Sequence, residues 1–174
     1  RKRDTKLLYQ PHLLKRDEGE LSIIFRDRNI SDLLGFVYHT WKAETAVNDL
    51  MKHLENISSA FENEDVLLTI AMDGENAWEY YANDGHDFLN ALYQRLSDAT
   101  FVKTVTVNEY LEKHPARSMI KHLAAGSWIY GEFGKWIGNP LKARAWECLA
   151  EAREALDNAK EKLNTEEWEK ALKQ

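Results

Sequence analysis

The chain has 174 residues, 44 % of them hydrophobic, which is enough for one domain with a buried core. Its 29 acidic residues against 23 basic ones leave a net charge of −6, and Lys and Arg are scattered rather than gathered in a stripe, which argues against a nucleic-acid partner. No apolar run reaches the roughly 18 residues that span a bilayer, and the amino-terminal stretch has no signal-peptide core, so no membrane partner and a cytoplasmic location are expected.

The chain opens on RKRDTK, a basic cluster expected to be a solvated end. ELSIIFRD (20–27) has the composition of a strand. The stretch from 30 to 61 carries Ile30, Leu33, Leu34, Val37 and Trp41, then Val47, Leu50, Met51, Leu54 and Ile57, at helical period. Ser31 is its expected N-cap and Gly35 a weak point, so it predicts either one long helix or two joined pieces. DVLLTIAM (65–72) is a continuous apolar run, the pattern of a strand covered on both faces. Asn83-Asp84-Gly85 is a turn signal ahead of a helical stripe of Phe88, Leu89, Leu92, Tyr93 and Leu96. FVKTVTV (101–107) predicts a third strand. Thr106 and Glu109 stand at capping-box spacing and predict a short helix stopped by Pro115.

Beyond Pro115 no further strand is expected. HLAAGSWIYGEFGKWIGN (122–139), rich in glycine and aromatics, resembles a functional loop. Asn139-Pro140 then supplies an N-cap and N1 pair for a helix through Leu141, Ala145, Trp146, Leu149, Ala152, Leu156 and Leu163, with a last helix after Thr165. The one cysteine, Cys148, falls at an apolar helical position; without a partner it agrees with a reducing compartment and is not assigned as a nucleophile.

This order predicts a parallel α/β layer giving way to helices. In such folds ligands gather at the carboxyl ends of strands. Arg26-Asp27 and Asp73-Gly74-Glu75 lie at two such ends, on adjacent or near-adjacent parallel strands, and are expected to face one rim. The six tryptophans divide less cleanly. Trp146 and Trp168 fit a core role, whereas Trp78, Trp128 and Trp136 suit either a core or a platform for the apolar face of a sugar. Arg26 and Asp27 equally suit rim contacts or a salt bridge and helix cap. His39, His53, His86, His114 and His122 lack metal-ligand spacing, so no metal and no other cofactor is expected.

FRDRNISDLLGF, MDGENAWEYY, FLNALYQRLS and HLAAGSWIYGEFGKWIGN followed by AWECLAEAR resemble the second half of glycoside hydrolase family 57, the α-amylase, 4-α-glucanotransferase and amylopullulanase group, from about Leu7 to Arg153. The resemblance implies the last strands of an incomplete (β/α)7 barrel in residues 1–115, followed by a helical region in 116–174. It implies a retaining mechanism on an α-glucan or oligosaccharide, and it places the general acid/base on Asp73. The family's amino-terminal motifs, with the nucleophilic glutamate, have no counterpart here. The amino-terminal half of the same enzyme is therefore an expected partner.

A retaining enzyme needs two carboxyls about 5–5.5 Å apart on opposite faces of the sugar. Glu75 projects from nearly the same edge as Asp73, so it is expected to bind a substrate hydroxyl, or to support the residues that do, rather than attack. The apolar strand behind Asp73 and Trp78 nearby are expected to favour its acid form, because desolvation disfavours charge. Two functions follow: a retaining hydrolase or glucanotransferase, which Asp73 favours, and a noncatalytic glucan-binding or regulatory module, which the missing nucleophile strand favours.

Overall fold

The computed structural model describes residues 5–61, 64–75 and 77–173, so Arg1–Asp4 of the basic terminal cluster lie outside the described residues. The chain separates into two compact units, one ending at Lys121 and the other beginning at His122.

In the first unit, helix α1 runs Arg28–Phe36. Its N-cap is Asp27 rather than Ser31: an Asp27 carboxylate oxygen accepts the Ile30 N–H at 3.0 Å. Ser31 lies inside the helix, buried, and its hydroxyl accepts the Ala71 N–H at 3.2 Å. Gly35 does not break the helix. The break comes after Phe36, where a 3₁₀ turn over Tyr38–Thr40 leads to α2, Ala43–Ala60, so the long periodic stretch is two joined pieces.

Helix α2 buries Ala46, Val47, Leu50, Met51 and Leu54, one stripe at helical spacing. Against it packs α3, His86–Asp98, through Phe88 and Leu92. Ile30, Leu34, Tyr38 and Tyr81 complete the core, with Leu68 and Met72 half-buried on its margin. The Tyr81 hydroxyl donates to the Leu34 carbonyl at 2.5 Å, and the Tyr38 hydroxyl to Asp49 at 2.8 Å. The aromatic rings thus enter the core with their polar ends satisfied.

The sheet differs from the expected parallel layer. Strand β1, His12–Arg16, pairs antiparallel with β2, Gly19–Ile23, in the register His12 to Ile23 and Arg16 to Gly19. A two-residue strand β3, Ser118–Met119, joins the other edge of β1 in parallel, giving the order β2-β1-β3. The strand expected over 20–27 therefore ends at Ile23, and a strand does follow Pro115. The runs 65–72 and 101–107 form no ladder.

Their backbone bonding gives the reason. A ladder needs repeated bonds between the same two segments. Residues 67–71 instead make single bonds to different neighbours: the Leu67 N–H donates to the Tyr9 carbonyl at 2.8 Å, and the Thr69 carbonyl accepts the Asp27 N–H at 2.8 Å. Leu68 and Met72 pack on the core while Ile70 is exposed, so only one face is covered. The 101–107 run ends in the expected capping box: Thr106 and Glu109 bond reciprocally and start α4, Val107–Lys113. Unit one is thus a mixed α/β arrangement with a small sheet and several helices, not a continuous βαβαβ layer.

The second unit is helical. Asn139 caps α5, Pro140–Ala159, by accepting the Leu141 N–H at 2.9 Å. This helix ends before Leu163, in a 3₁₀ turn over Lys160–Lys162; Asn164 and Glu167 then form a second capping box that starts α6, Thr165–Leu172. None of the unit's described residues is buried. Trp146 is accordingly half-exposed, its indole N–H donating to the Trp136 carbonyl at 2.9 Å, and Cys148 is exposed. Trp168 is only half-buried, with the Lys160 ammonium 5.3 Å from its ring centre. The core roles expected for Trp146 and Trp168 fail because the unit offers no second layer to cover their faces. Among the described residues no helix is long and apolar enough to cross a membrane.

Burial raises the Tyr81 hydroxyl from its ordinary 10.0 to about 12. The folded state therefore holds this proton more tightly than the unfolded chain, and the resulting stability is complete below pH 10 and is lost as pH climbs towards 12. Denaturant midpoints measured from pH 8 upwards should fall through that window, and Tyr81→Phe should flatten the fall.

Candidate active site

The polar turn Asp73-Gly74-Glu75 follows directly on the extended 65–72 stretch, and all three residues are exposed. Its position is set by Ala71, which is tied to Ser31 in the first turn of α1. Asp73 follows Ala71 by two positions, about 7 Å of chain. The structure therefore brings the 73–75 turn and the Arg26-Asp27 segment to the amino-terminal end of α1. They do not arrive there on ladder-paired parallel strands.

Asp27 is 6 % exposed and fully engaged. One oxygen caps α1 and the other accepts the Tyr9 hydroxyl at 2.6 Å. Burial, and then this hydrogen bond, hold the Tyr9 hydroxyl well above its ordinary range, so it keeps its proton for Asp27 into alkaline solution. Arg26 is half-buried and reaches Asp32 at 3.4 Å, a carboxylate it shares with Arg28 at 3.3 Å. Of the two readings open for these residues, the cap and the ion pair are those seen. Tyr9 carried no signal in the sequence, because it stands 18 residues from Asp27 and outside any motif.

Trp78 turns towards the core. Its ring centroid lies 5.3 Å from that of Tyr81 and 6.1 Å from that of Phe88. It also lies flat on Gly85, where an added Cβ would sit 3.2 Å from Trp78 Cε3. Gly85 closes a left-handed turn in which Asn83 and Asp84 both have φ of 51° and Gly85 has 76°. The shielding of Asp73 expected from Trp78 is absent, since Asp73 is exposed while the indole is spent on this packing.

Trp128 and Trp136 come together in the second unit, edge to face with centroids 5.3 Å apart. Trp128 is 71 % exposed, and Tyr130 between them is 94 % exposed at a φ of 55°. The Ser127 hydroxyl holds the loop closed by bonding the Ile129 N–H at 3.1 Å and the Glu132 carbonyl. A Cβ at Gly126 would lie 2.7 Å from the Gly131 carbonyl oxygen, which explains a glycine there.

The model of Glycosyl hydrolase family 57 matches residues 3–122, about two thirds of the chain. The chain belongs to glycosyl hydrolase family 57. No curated protein matches it. The family 57 match contains Arg26, Asp27, Asp73, Glu75 and Trp78 and stops where the second unit begins. Trp128, Trp136 and AWECLAEAR lie beyond it, so the match is shorter than the resemblance carried to Arg153. The chemistry of the family is that of glycosidic bonds.

Two substitutions test this framework. Asp27→Ala removes a cap and strands the Tyr9 hydroxyl, and should lower unfolding stability by about 2–4 kcal/mol in urea titrations; Asp27→Asn, whose single carbonyl oxygen can still cap α1 while its NH2 group donates to the Tyr9 oxygen, should cost less. Gly85→Ala forces a side chain into a left-handed position against the indole and should destabilise by about 1–3 kcal/mol, with a matching loss of near-ultraviolet tryptophan signal.

Proposed function

We propose that this chain carries the general acid/base of a retaining α-glucan-acting enzyme, a hydrolase or glucanotransferase, and that Asp73 is that group. The observation that supports it is the exposed Asp73 carboxyl, inside the family 57 match, at the end of an extended stretch anchored two residues earlier to α1. A proton donor must reach the glycosidic oxygen, and an exposed turn on an anchored stretch combines access with a defined position.

In the proposed first step, Asp73 gives its proton to the leaving glycosidic oxygen while a carboxylate on the opposite face of the sugar attacks the anomeric carbon. In the second, the Asp73 carboxylate takes a proton from water or from a sugar hydroxyl, whose oxygen displaces the enzyme carboxylate. The attacking carboxylate is assigned to the amino-terminal half of the enzyme. Support for that partner comes from residues 65–72 and 24–27, whose few backbone bonds leave edges able to pair with the remaining strands of an incomplete (β/α)7 barrel.

The other residues divide by position. Glu75, exposed beside Asp73, binds a substrate hydroxyl. Arg26 has guanidinium N–H groups beyond its Asp32 contact for the same purpose. Asp27 acts through α1, by holding the segment that anchors Ala71. Trp78 braces the turn from the core side, and Trp128 with Trp136 forms a stacking platform for sugar rings. The exposure of Trp128, with Trp136 half-buried behind it, also favours a second reading, a noncatalytic glucan-binding module.

Asp73→Asn in the active enzyme should lower turnover of substrates with poor leaving groups by roughly 10²–10⁴-fold and spare activated aryl glycosides, which need little protonation. Initial rates on both classes decide the matter. Equal losses on the two would exclude the acid/base role, and unchanged rates would leave the binding-module reading.

A further inference from the structure

A hollow lies in the first unit, between the Tyr38–Thr40 turn with the start of α2 on one side and the beginning of α3 on the other. Its volume is about 380 Å³, within the roughly 300–1,000 Å³ range of small-ligand sites. None of Arg26, Asp27, Asp73 and Glu75 lines it.

Its walls are aromatic and rigid. Tyr38, Trp41, Tyr81 and Phe88 line it, and the hydroxyls of Tyr38 and Tyr81 are already committed to Asp49 and Leu34. Trp41 packs edge to face on Tyr38, centroids 5.4 Å apart, and remains 41 % exposed, so part of its indole stays uncovered. The Thr40 hydroxyl in the lining is likewise committed, donating to the Val37 carbonyl at 2.8 Å, which leaves three side chains with spare polar groups. The His39 Nδ1 atom is buried and has no hydrogen-bond partner, and among the described residues the side chains of Lys42 and Asp87 make no ion pair.

This set of groups selects a ligand class. An anion would gain from Lys42 and be repelled by Asp87, and a cation the reverse. A wholly apolar ligand would leave His39 Nδ1 unmet, a standing cost of burial without a partner. A neutral ring bearing hydroxyls meets all the requirements at once: its C–H face covers an indole, and each hydroxyl both donates and accepts, matching ammonium, carboxylate and imidazole. We propose that this hollow is a binding site for a pyranose unit of an oligosaccharide, separate from Asp73 and independent of the catalytic role assigned there. The pyranose stacks on Trp41, and His39, packed with its ring centroid 6.0 Å from that of Tyr80 and 6.3 Å from that of Tyr81, gives its unpartnered Nδ1 to a hydroxyl after a small shift of the ring.

Maltose is the probe, followed by amide and indole NMR shifts of the whole chain. Saturating maltose should move the Trp41 indole resonance together with amides of 38–43 and 81–88. Trp41→Ala should weaken that binding by about tenfold or more. His39→Phe removes an unpartnered nitrogen while keeping a planar ring, so it should leave the melting temperature unchanged or higher and still weaken maltose. Asp73→Asn should bind maltose in this hollow as the parent does. If Asp73→Asn kept its glycosidase activity while maltose still moved Trp41, the catalytic reading would fall and this one would stand. An unmoved Trp41 indole, undiminished affinity in both Trp41→Ala and His39→Phe, or tighter binding of glucose 6-phosphate than of maltose at these resonances overturns the site.

Discussion

Asp27 joins three parts of the first unit that are far apart in sequence. One carboxylate oxygen caps α1, the other accepts the Tyr9 hydroxyl, and the residue's own N–H donates to Thr69. A carboxylate this deeply buried is tolerated only when such bonds replace its lost hydration. Each bond also fixes a neighbour: Tyr9 ends the amino-terminal 3₁₀ segment, α1 begins the helical layer, and Thr69 belongs to the stretch that carries Asp73. The same burial keeps the Tyr9 hydroxyl protonated, so donor and acceptor reinforce one another.

The helical core supplies the rest of the rigidity. Helices α2 and α3 clasp Tyr38, Tyr81 and Phe88, and Trp78 closes the cluster over Gly85. Between Asp73 and α3 the chain therefore returns to the core through a tight left-handed turn that only a glycine at its last position fits. The Asp73 turn is held at one end by Ala71 on Ser31 and at the other by the Trp78 packing, while its own side chains stay in water. The result is an exposed acidic turn on a chain fixed on both sides.

The second unit is organised by different forces. Its helices begin at strong local caps, Asn139 with Pro140 and Asn164 with Glu167, and an Arg144 pair with Glu147 and Glu151 lies along α5. Without a buried residue among those described, these local terms and the edge-to-face loop aromatics account for its order. Apart from His122 it stands outside the family match, and it exposes Trp128, Tyr130 and Leu141.

What could be known from sequence follows the range of the interaction responsible. The capping box of Thr106 and Glu109, the Asn139-Pro140 start and the Asn83-Asp84-Gly85 turn all depend on residues within four positions of one another, and each appears where its spacing put it. The stripes of α2 and α3 were likewise legible, because burial of one helical face imposes its own period. The family motifs were legible for a related reason, being short runs that keep their order. Ser31 misled because a hydroxyl at a helix start resembles a cap; only Ala71, 40 residues away, shows what it bonds. Residues 65–72 misled because an apolar run states that a strand can be covered, not which segments will pair with it. Trp78 could not be assigned to core or sugar until Gly85 and Phe88 closed on it, nor could Asp27 until Tyr9 reached it. Local sequence determines where helices start and which faces are apolar, since those energies arise within a few residues. Tertiary structure alone decides ladder partners, buried hydrogen bonds and the direction of an aromatic ring, since those energies exist only once distant segments meet.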